Sequence, residues 1–451
     1  LVGLALGYFM VLLDTTIVTV ALPAIGRSLS GGLNWLQWIS NGYTLTFAAL
    51  LLTAGTLSDR LGGRRMFLIG VTTFGVISAV SAAANSMELL VVLRALLGVA
   101  GALLLPSSLA VIAHTFTDPG ARAKALGSWA ALTGVALAAG PMVGGVLTDT
   151  LGWRAIFLVN LPIAVASVLI TRKAAVETPR KVSVGLDIPG QMSAIVALVA
   201  VTYGLIQAGA TGWTAPEVLS AFGVFVVAGV VFLLAERRPE TDSHAPMLPL
   251  RLFGSRTFSA ALFGGLLINF ALSGVLFVLS LFFQEGRGYS ALVAGLAFLP
   301  LTLPTAFNPI FTGRLVAKIG PRKPATAGFL LMAVGTLIQA LTTSTSTTAT
   351  VFSAVGLLIL GFGISFAMPS LMVAVMGSVP RDLVGIGSGA LNSARQTGAI
   401  LGVAVLGVML SGAGGASIAA GTRMAVIVAG CLLLVGAGVV SVYVGRQAKT
   451  S

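Results

Sequence analysis

Asp14 stands inside an apolar run, Leu1 to Ile25, that is long enough to cross a bilayer. Among the 13 acidic residues it is the one that falls near mid-membrane in the spans read below. An ionised Asp at a helix centre is unfavourable by about 2.5–3.5 kcal/mol, so a carboxylate there is rarely idle. It lies nine residues before Pro23, about 14 Å below the outer end of its helix at a 1.5 Å rise. Burial disfavours the charged form, and reversible protonation is the chemistry such a position offers. A hydrogen bond to a neighbouring helix, made for packing, is the alternative. Two arginines are also deep. Arg94 lies six residues into its own span, about 9 Å from the surface. Arg395 sits mid-span beside Asn392 and Gln396, which are four apart and share a face. That trio reads as a polar lining for a cavity, or else as interhelical hydrogen bonding. Further cavity candidates are Gln37, Asn41, Tyr43, Asn269, Phe270 and Asn308.

Other chemistries lack their residues. Cys431 is the single cysteine and its apolar neighbourhood reads as a helix-packing position; with His114 and His244 as the only histidines, no metal site is expected. No glycine loop ends in Gly-Lys-Ser/Thr, and no Ser/His/Asp set is present. The expectation is a protein that is not an enzyme, holds no cofactor, and draws energy from an ion gradient. One deep carboxylate with few partner oxygens favours the proton over sodium.

The elements that position these residues follow from hydropathy. With 57% hydrophobic and 9% charged residues, the 451-residue chain reads as a multi-pass helical membrane protein. Spans are expected near 1–25, 35–57, 66–84, 89–113, 124–149, 154–171, 188–208, 216–235, 257–283, 291–313, 325–343, 349–376, 384–410 and 422–444. Fourteen spans place both termini on one side. Of the 26 lysines and arginines, Arg27, Arg154, Arg287 and Arg423 fall on the far side and Arg94 and Arg395 within spans. The remainder share the side of Arg60, Arg64 and Arg65, which makes that side cytoplasmic. The net charge of +13 is thus a topology signal, and nucleic acid is not an expected partner. Membrane lipids are. The chain opens at Leu1 within a span, so a preceding segment is expected, and that span lacks the basic start of a cleavable signal.

Two distant segments are alike. Gly55 through Asp59, Arg60, Gly62, Gly63, Arg64 and Arg65 is matched by Gly313 through Lys318, Gly320, Arg322 and Lys323, an offset of 258 residues. Leu105-Pro106-Ser107 and Met368-Pro369-Ser370 repeat at 263. Two six-span halves related by duplication account for both. The surplus length holds two more helices, 188–208 and 216–235, flanked by polar stretches Arg172–Asp187 and Glu236–Arg256. The expected domains are residues 1–171, 172–256 and 257–451. Within the first, Gly134, Gly140, Pro141, Gly144 and Gly145 form a small-residue face with a kink, suited to a moving contact between two bundles.

In order along the chain, these motifs resemble the major facilitator superfamily, specifically its fourteen-span drug:proton antiporter group. Leu13-Asp14-Thr15-Thr16 through Pro23 is similar to that group's first-helix motif, and Gly55 to Arg65 to the superfamily's loop motif. Arg94 with Gly98, Gly101 and Ala102 resembles the fourth-helix motif, and Gly134 to Gly145 the antiporter motif. Trp153-Arg154 with Phe157, Asn160 and Pro162 resembles the start of helix six, and Asn392 with Arg395-Gln396 and Gly398 the penultimate helix. Within that group the chain resembles actinobacterial antibiotic-resistance exporters of the methylenomycin-resistance type. The resemblance implies an all-α membrane fold of two six-helix bundles plus two central helices. It also implies a monomeric, proton-coupled multidrug or antibiotic efflux antiporter of the bacterial cytoplasmic membrane. Its substrate would be a small amphipathic drug; an endogenous metabolite, lipid or siderophore is the alternative cargo. The implied fold sets Asp14 and Arg94 beside one cavity, and makes Gly55, Asp59, Arg60, Gly62, Arg64 and Arg65 a conformational latch; simple positive-inside anchoring is the other reading of that loop. Three departures stand out: Leu97 replaces a frequent Gln, Ala317 stands where Asp59 stands in the first copy, and the second half has no deep acid.

Overall fold

A computed structural model describes residues 1–179, 187–238, 247–344, 346–380, 383–410 and 418–445. The polar stretches on either side of the extra helix pair fall partly outside these residues, as does His244. The described residues form helices and no strand. Among the described residues, ten helical stretches are long and apolar enough to cross a membrane. Helical backbone is the expected solution in lipid, because each N–H finds its partner within its own segment.

The first helices are α1 (Val2–Leu29), α2 (Leu33–Leu61), α3 (Gly63–Ala82), α4 (Met87–Thr115) and α5 (Pro119–Leu151). Next come α6 (Ala155–Leu158) and α7 (Asn160–Ala174), which together make one span-length stretch. Then follow α8 (Ile188–Thr211), α9 (Pro216–Glu236) and α10 (Arg256–Leu281), the last extended by a π turn over Phe282–Gly286. The expected span 291–313 is corrected. It is three pieces, α11 (Ala291–Ala297), α12 (Leu299–Phe307) and α13 (Pro309–Ile319). Pro300 and Pro309 supply no N–H at the two interruptions, so the ladder of bonds is cut there. The chain ends in α14 (Arg322–Gln339), α15 (Thr347–Met376), α16 (Val384–Val408) and α17 (Ile418–Tyr443).

The chain divides into two compact units. The first holds Leu1–Val201, Ser220–Met247 and Tyr289–Leu296; the second holds Thr202–Leu219, Leu248–Gly288 and Ala297–Ser451. In the first unit α1 is the central element, packed by α2, α4, α5, α6 and α7. In the second, α10 takes that place against α15, α16 and α17. Cys431 is corrected as well: it is exposed. The buried register of α17 runs through Ala425, Ala429, Leu433, Gly436 and Val440, and Cys431 falls beside that stripe.

Candidate functional site

Asp14 is fully buried at the centre of the first unit. Nη1 of Arg94, on α4, donates to its Oδ2, and Nδ2 of Asn160, on α7, donates to its Oδ1 at 3.2 Å. Both carboxylate oxygens are therefore occupied. Arg94 is 1% exposed; its Nε donates to the Ile39 carbonyl of α2 at 3.1 Å, and its guanidinium lies 4.6 Å from the Tyr43 ring centroid. The Tyr43 hydroxyl donates in turn to the Val11 carbonyl of α1 at 3.3 Å. Asn160 also donates to Ser78 Oγ at 3.0 Å, and that hydroxyl donates to the Phe157 carbonyl at 2.9 Å. A buried charge pair needs supporting hydrogen bonds, and α1, α2, α3, α4 and α7 all contribute to them.

Glycines bring these helices close. A Cβ on Gly144 of α5 would stand 2.6 Å from the Ile17 carbonyl of α1, and one on Gly140 would meet the Thr16 side chain. Gly140 and Gly144 thus press α5 onto α1 inside one unit, because missing side chains let the two backbones touch. Pro141 is buried and Gly134 partly exposed. Gly145 faces the Ala291 carbonyl, and the Asp149 carboxylate nearby accepts the N–H groups of Ala291 and Leu292 at 3.1 and 2.9 Å.

The loop at residues 55–65 is held by two residues that sequence reasoning did not select. Glu177 accepts the N–H groups of Arg64 and Arg65 at 2.9 and 3.1 Å, and Thr178 Oγ1 accepts that of Gly63 at 2.7 Å. A carboxylate at the start of α3 faces the positive end of the helix dipole. Gly62 has φ of +96°, and a Cβ there would stand 2.5 Å from Glu177 Oε1. Arg64 Nη2 donates to the Arg172 carbonyl at 2.9 Å. Gly55, Asp59 and Arg60 lie partly exposed on the last turns of α2. The available signal was Glu177 itself, an acid among Arg172, Lys173, Arg180 and Lys181. In the second copy Gly320 repeats the left-handed turn at φ +76°, with nothing within 4 Å of its Cβ position.

Five of the expected cavity residues are buried. Asn41, Tyr43, Asn269 and Phe270 are 1%, 2%, 7% and 6% exposed, and Gln37 is equally buried. Tyr43 is spent on Arg94, and the Phe270 carbonyl abuts Gly402 of α16. Asn308, Asn392, Arg395 and Gln396 remain partly exposed. Arg395 donates to Asn392 Oδ1 at 3.0 Å and to Asn269 Oδ1 at 3.4 Å, which ties α16 to α10. Asn308, at the α12–α13 interruption, donates to Ser365 Oγ at 2.7 Å.

Residues 4–403 match the family described as the Major Facilitator Superfamily. The chain is 36% identical over 412 residues to the methylenomycin A resistance protein of Bacillus subtilis (strain 168), covering 91% of this chain and 87% of that one. It is 35% identical over 416 residues to the tetracenomycin C resistance and export protein of Streptomyces glaucescens, covering 91% and 75%. Among solved structures, the D-xylose–proton symporter superposes with a TM-score of 0.69 at 13% identity, covering 98% of this chain and 96% of that one. The human organic anion transporter MFSD10 does so with a TM-score of 0.66 at 19% identity, covering 97% and 98%. An all-helical membrane fold with a buried Asp–Arg pair, matched along nine-tenths of its length by these relatives, places the chain in the Major Facilitator Superfamily.

Proposed function

We propose that this protein exports small amphipathic, drug-like molecules from a bacterium in exchange for protons, alternating between inward- and outward-facing states. The observation that carries the reading is the buried salt bridge of Asp14 and Arg94. Relatives named for methylenomycin A resistance and for tetracenomycin C export supply the substrate class. A proton from outside neutralises Asp14 and frees the Arg94 guanidinium from its partner; loss of that proton inside restores the pair. Substrate drives the cycle by binding the two states unequally. The same reading includes fourteen spans arranged as six, two and six, with domains at 1–171, 172–256 and 257–451. It includes both termini in the cytoplasm, a monomer in the cytoplasmic membrane, no cofactor and no enzymatic step. The loop at Gly55–Arg65 acts as its conformational latch, and Asn308, Asn392, Arg395 and Gln396 line the substrate path.

Proteoliposomes with an imposed proton gradient test it. The intact protein should accumulate a fluorescent cationic drug against its gradient, and Asp14→Asn should not. Proton-driven accumulation that survives in Asp14→Asn would remove Asp14 from the coupling step. A panel adding lipids, siderophores and metabolites would show whether the cargo is endogenous instead.

A further inference from the structure

Asn160 belongs to the motif that opens the sixth expected span, and its side chain is fully buried. Its Nδ2 serves two acceptors, Asp14 Oδ1 at 3.2 Å and Ser78 Oγ at 3.0 Å, while its own Oδ1 is buried with no donor. Chemistry dictates this orientation. With Asp14 ionised, the reversed amide would set two acceptor oxygens face to face. That oxygen is an acceptor which the ionised state leaves unmet beside the carboxylate.

We propose that Asn160 is the positioning residue that follows the protonation of Asp14, donating to the ionised carboxylate and, after its amide turns over, accepting from the protonated acid. This rests on Asp14 being the coupling group. The step balances: one proton from the aqueous phase bonds to Oδ1 of Asp14, and Asn160 keeps both amide protons. Oδ1 is the oxygen that takes it, because Oδ2 holds the charge-assisted bond from Arg94 whereas Oδ1 holds only a neutral amide N–H. Once turned, the Asn160 oxygen faces both the acid proton and Ser78. The Ser78 hydroxyl then donates to that oxygen and releases the Phe157 carbonyl, which it holds now at 2.9 Å. Protonation on α1 thereby loosens a tie between α3 and α6. The charged and titratable side chains around Asp14 are Arg94 from α4 and Tyr43 from α2, with Tyr8 further along α1. On α5, Gly140 and Gly144 meet Thr16 and Ile17 just beyond Asp14, and α7 presents Asn160 itself.

The test uses purified full-length protein with ethidium as the probe, following probe-linked proton release against pH. It also follows the infrared carbonyl stretch of protonated Asp14, recognised by its loss in Asp14→Asn. Asn160→Ala should shift the midpoint to higher pH, binding the proton about 5–10-fold more tightly, since a hydrogen bond to a charged acceptor is worth more than one from a neutral acid. The carbonyl band should move, and Asn160→Ser, which can donate and accept, should restore part of both. Asn160→Leu, closer in volume, is the second variant should Asn160→Ala prove unstable. Wild-type protein carrying labelled asparagine gives the same answer without mutation, as an amide band that moves on protonation. An unmoved midpoint and carbonyl band, or lowered stability alone, overturns the proposal. Continued probe-linked proton release by Asp14→Asn overturns the Asp14 reading instead, so the two failures are distinct.

Discussion

Asp14 and Arg94 should behave as one energetic unit, and a double-mutant cycle measures it. The two side chains are 0% and 1% exposed, so neither charge can turn to water once its partner is gone. In Asp14→Asn the guanidinium keeps the Ile39 carbonyl at 3.1 Å and the Tyr43 ring at 4.6 Å, both uncharged. An uncompensated buried charge of this kind destabilises by about 3–5 kcal/mol. Arg94→Met leaves the carboxylate with Asn160 alone, but a carboxylate can take a proton, whereas a guanidinium cannot lose one. Arg94→Met should therefore regain stability as pH falls, and Asp14→Asn should not. The double variant holds no buried charge, and its loss should be smaller than the sum of the single losses by at least about 2 kcal/mol. Reversible denaturation of purified protein in detergent, read by intrinsic fluorescence at several pH values, gives all four corners. Single losses that add to within about 0.5 kcal/mol would refute the coupling. Transport separates stability from function: the double variant should fold and still fail to move drug against its gradient.

Other residues make sharp predictions too. Gly62→Ala puts a side chain at φ +96° and a Cβ 2.5 Å from Glu177 Oε1, so it should destabilise the first unit by about 1–3 kcal/mol; wild-type stability would mean that the turn relaxes freely. Glu177→Ala leaves the Arg64 and Arg65 N–H groups uncapped, and their hydrogen exchange should quicken by about 5–30-fold, while Glu177→Gln should retain part of the protection. Gly144→Val, which drives a branched side chain at the Ile17 carbonyl, should cost about 1–3 kcal/mol and cut transport more than Gly144→Ala does; equal transport would remove the close α1–α5 contact from the mechanism. The exposed Cys431 thiol should react with a membrane-soluble maleimide faster than with a charged one, and slow labelling by both would mean that it is packed.

Much of this protein was legible because lipid leaves few choices. Long apolar runs can only be helices there, so the helical architecture, the duplicated loop and the depth of Asp14 and Arg94 followed from residue order and the cost of buried charge. The repeat was written in Gly62 and Gly320, 258 positions apart, and both adopt the same positive-φ turn. What the order of residues did not reveal was which polar groups meet. Asn160 looked like one more motif residue, and only packing of α7 against α1 and α3 set its amide between Asp14 and Ser78. Glu177 reaches back 113 residues to the start of α3, a contact without local pattern. Tyr43 and Asn269 read alike as polar span residues, and only packing set one against Arg94 and the other against Arg395. Periodicity reports that a helix has a buried face; the direction of that face around its neighbours is settled when the helices pack. The sequence by itself therefore determined the membrane helices and the deep charges, and the tertiary structure alone decided their partners.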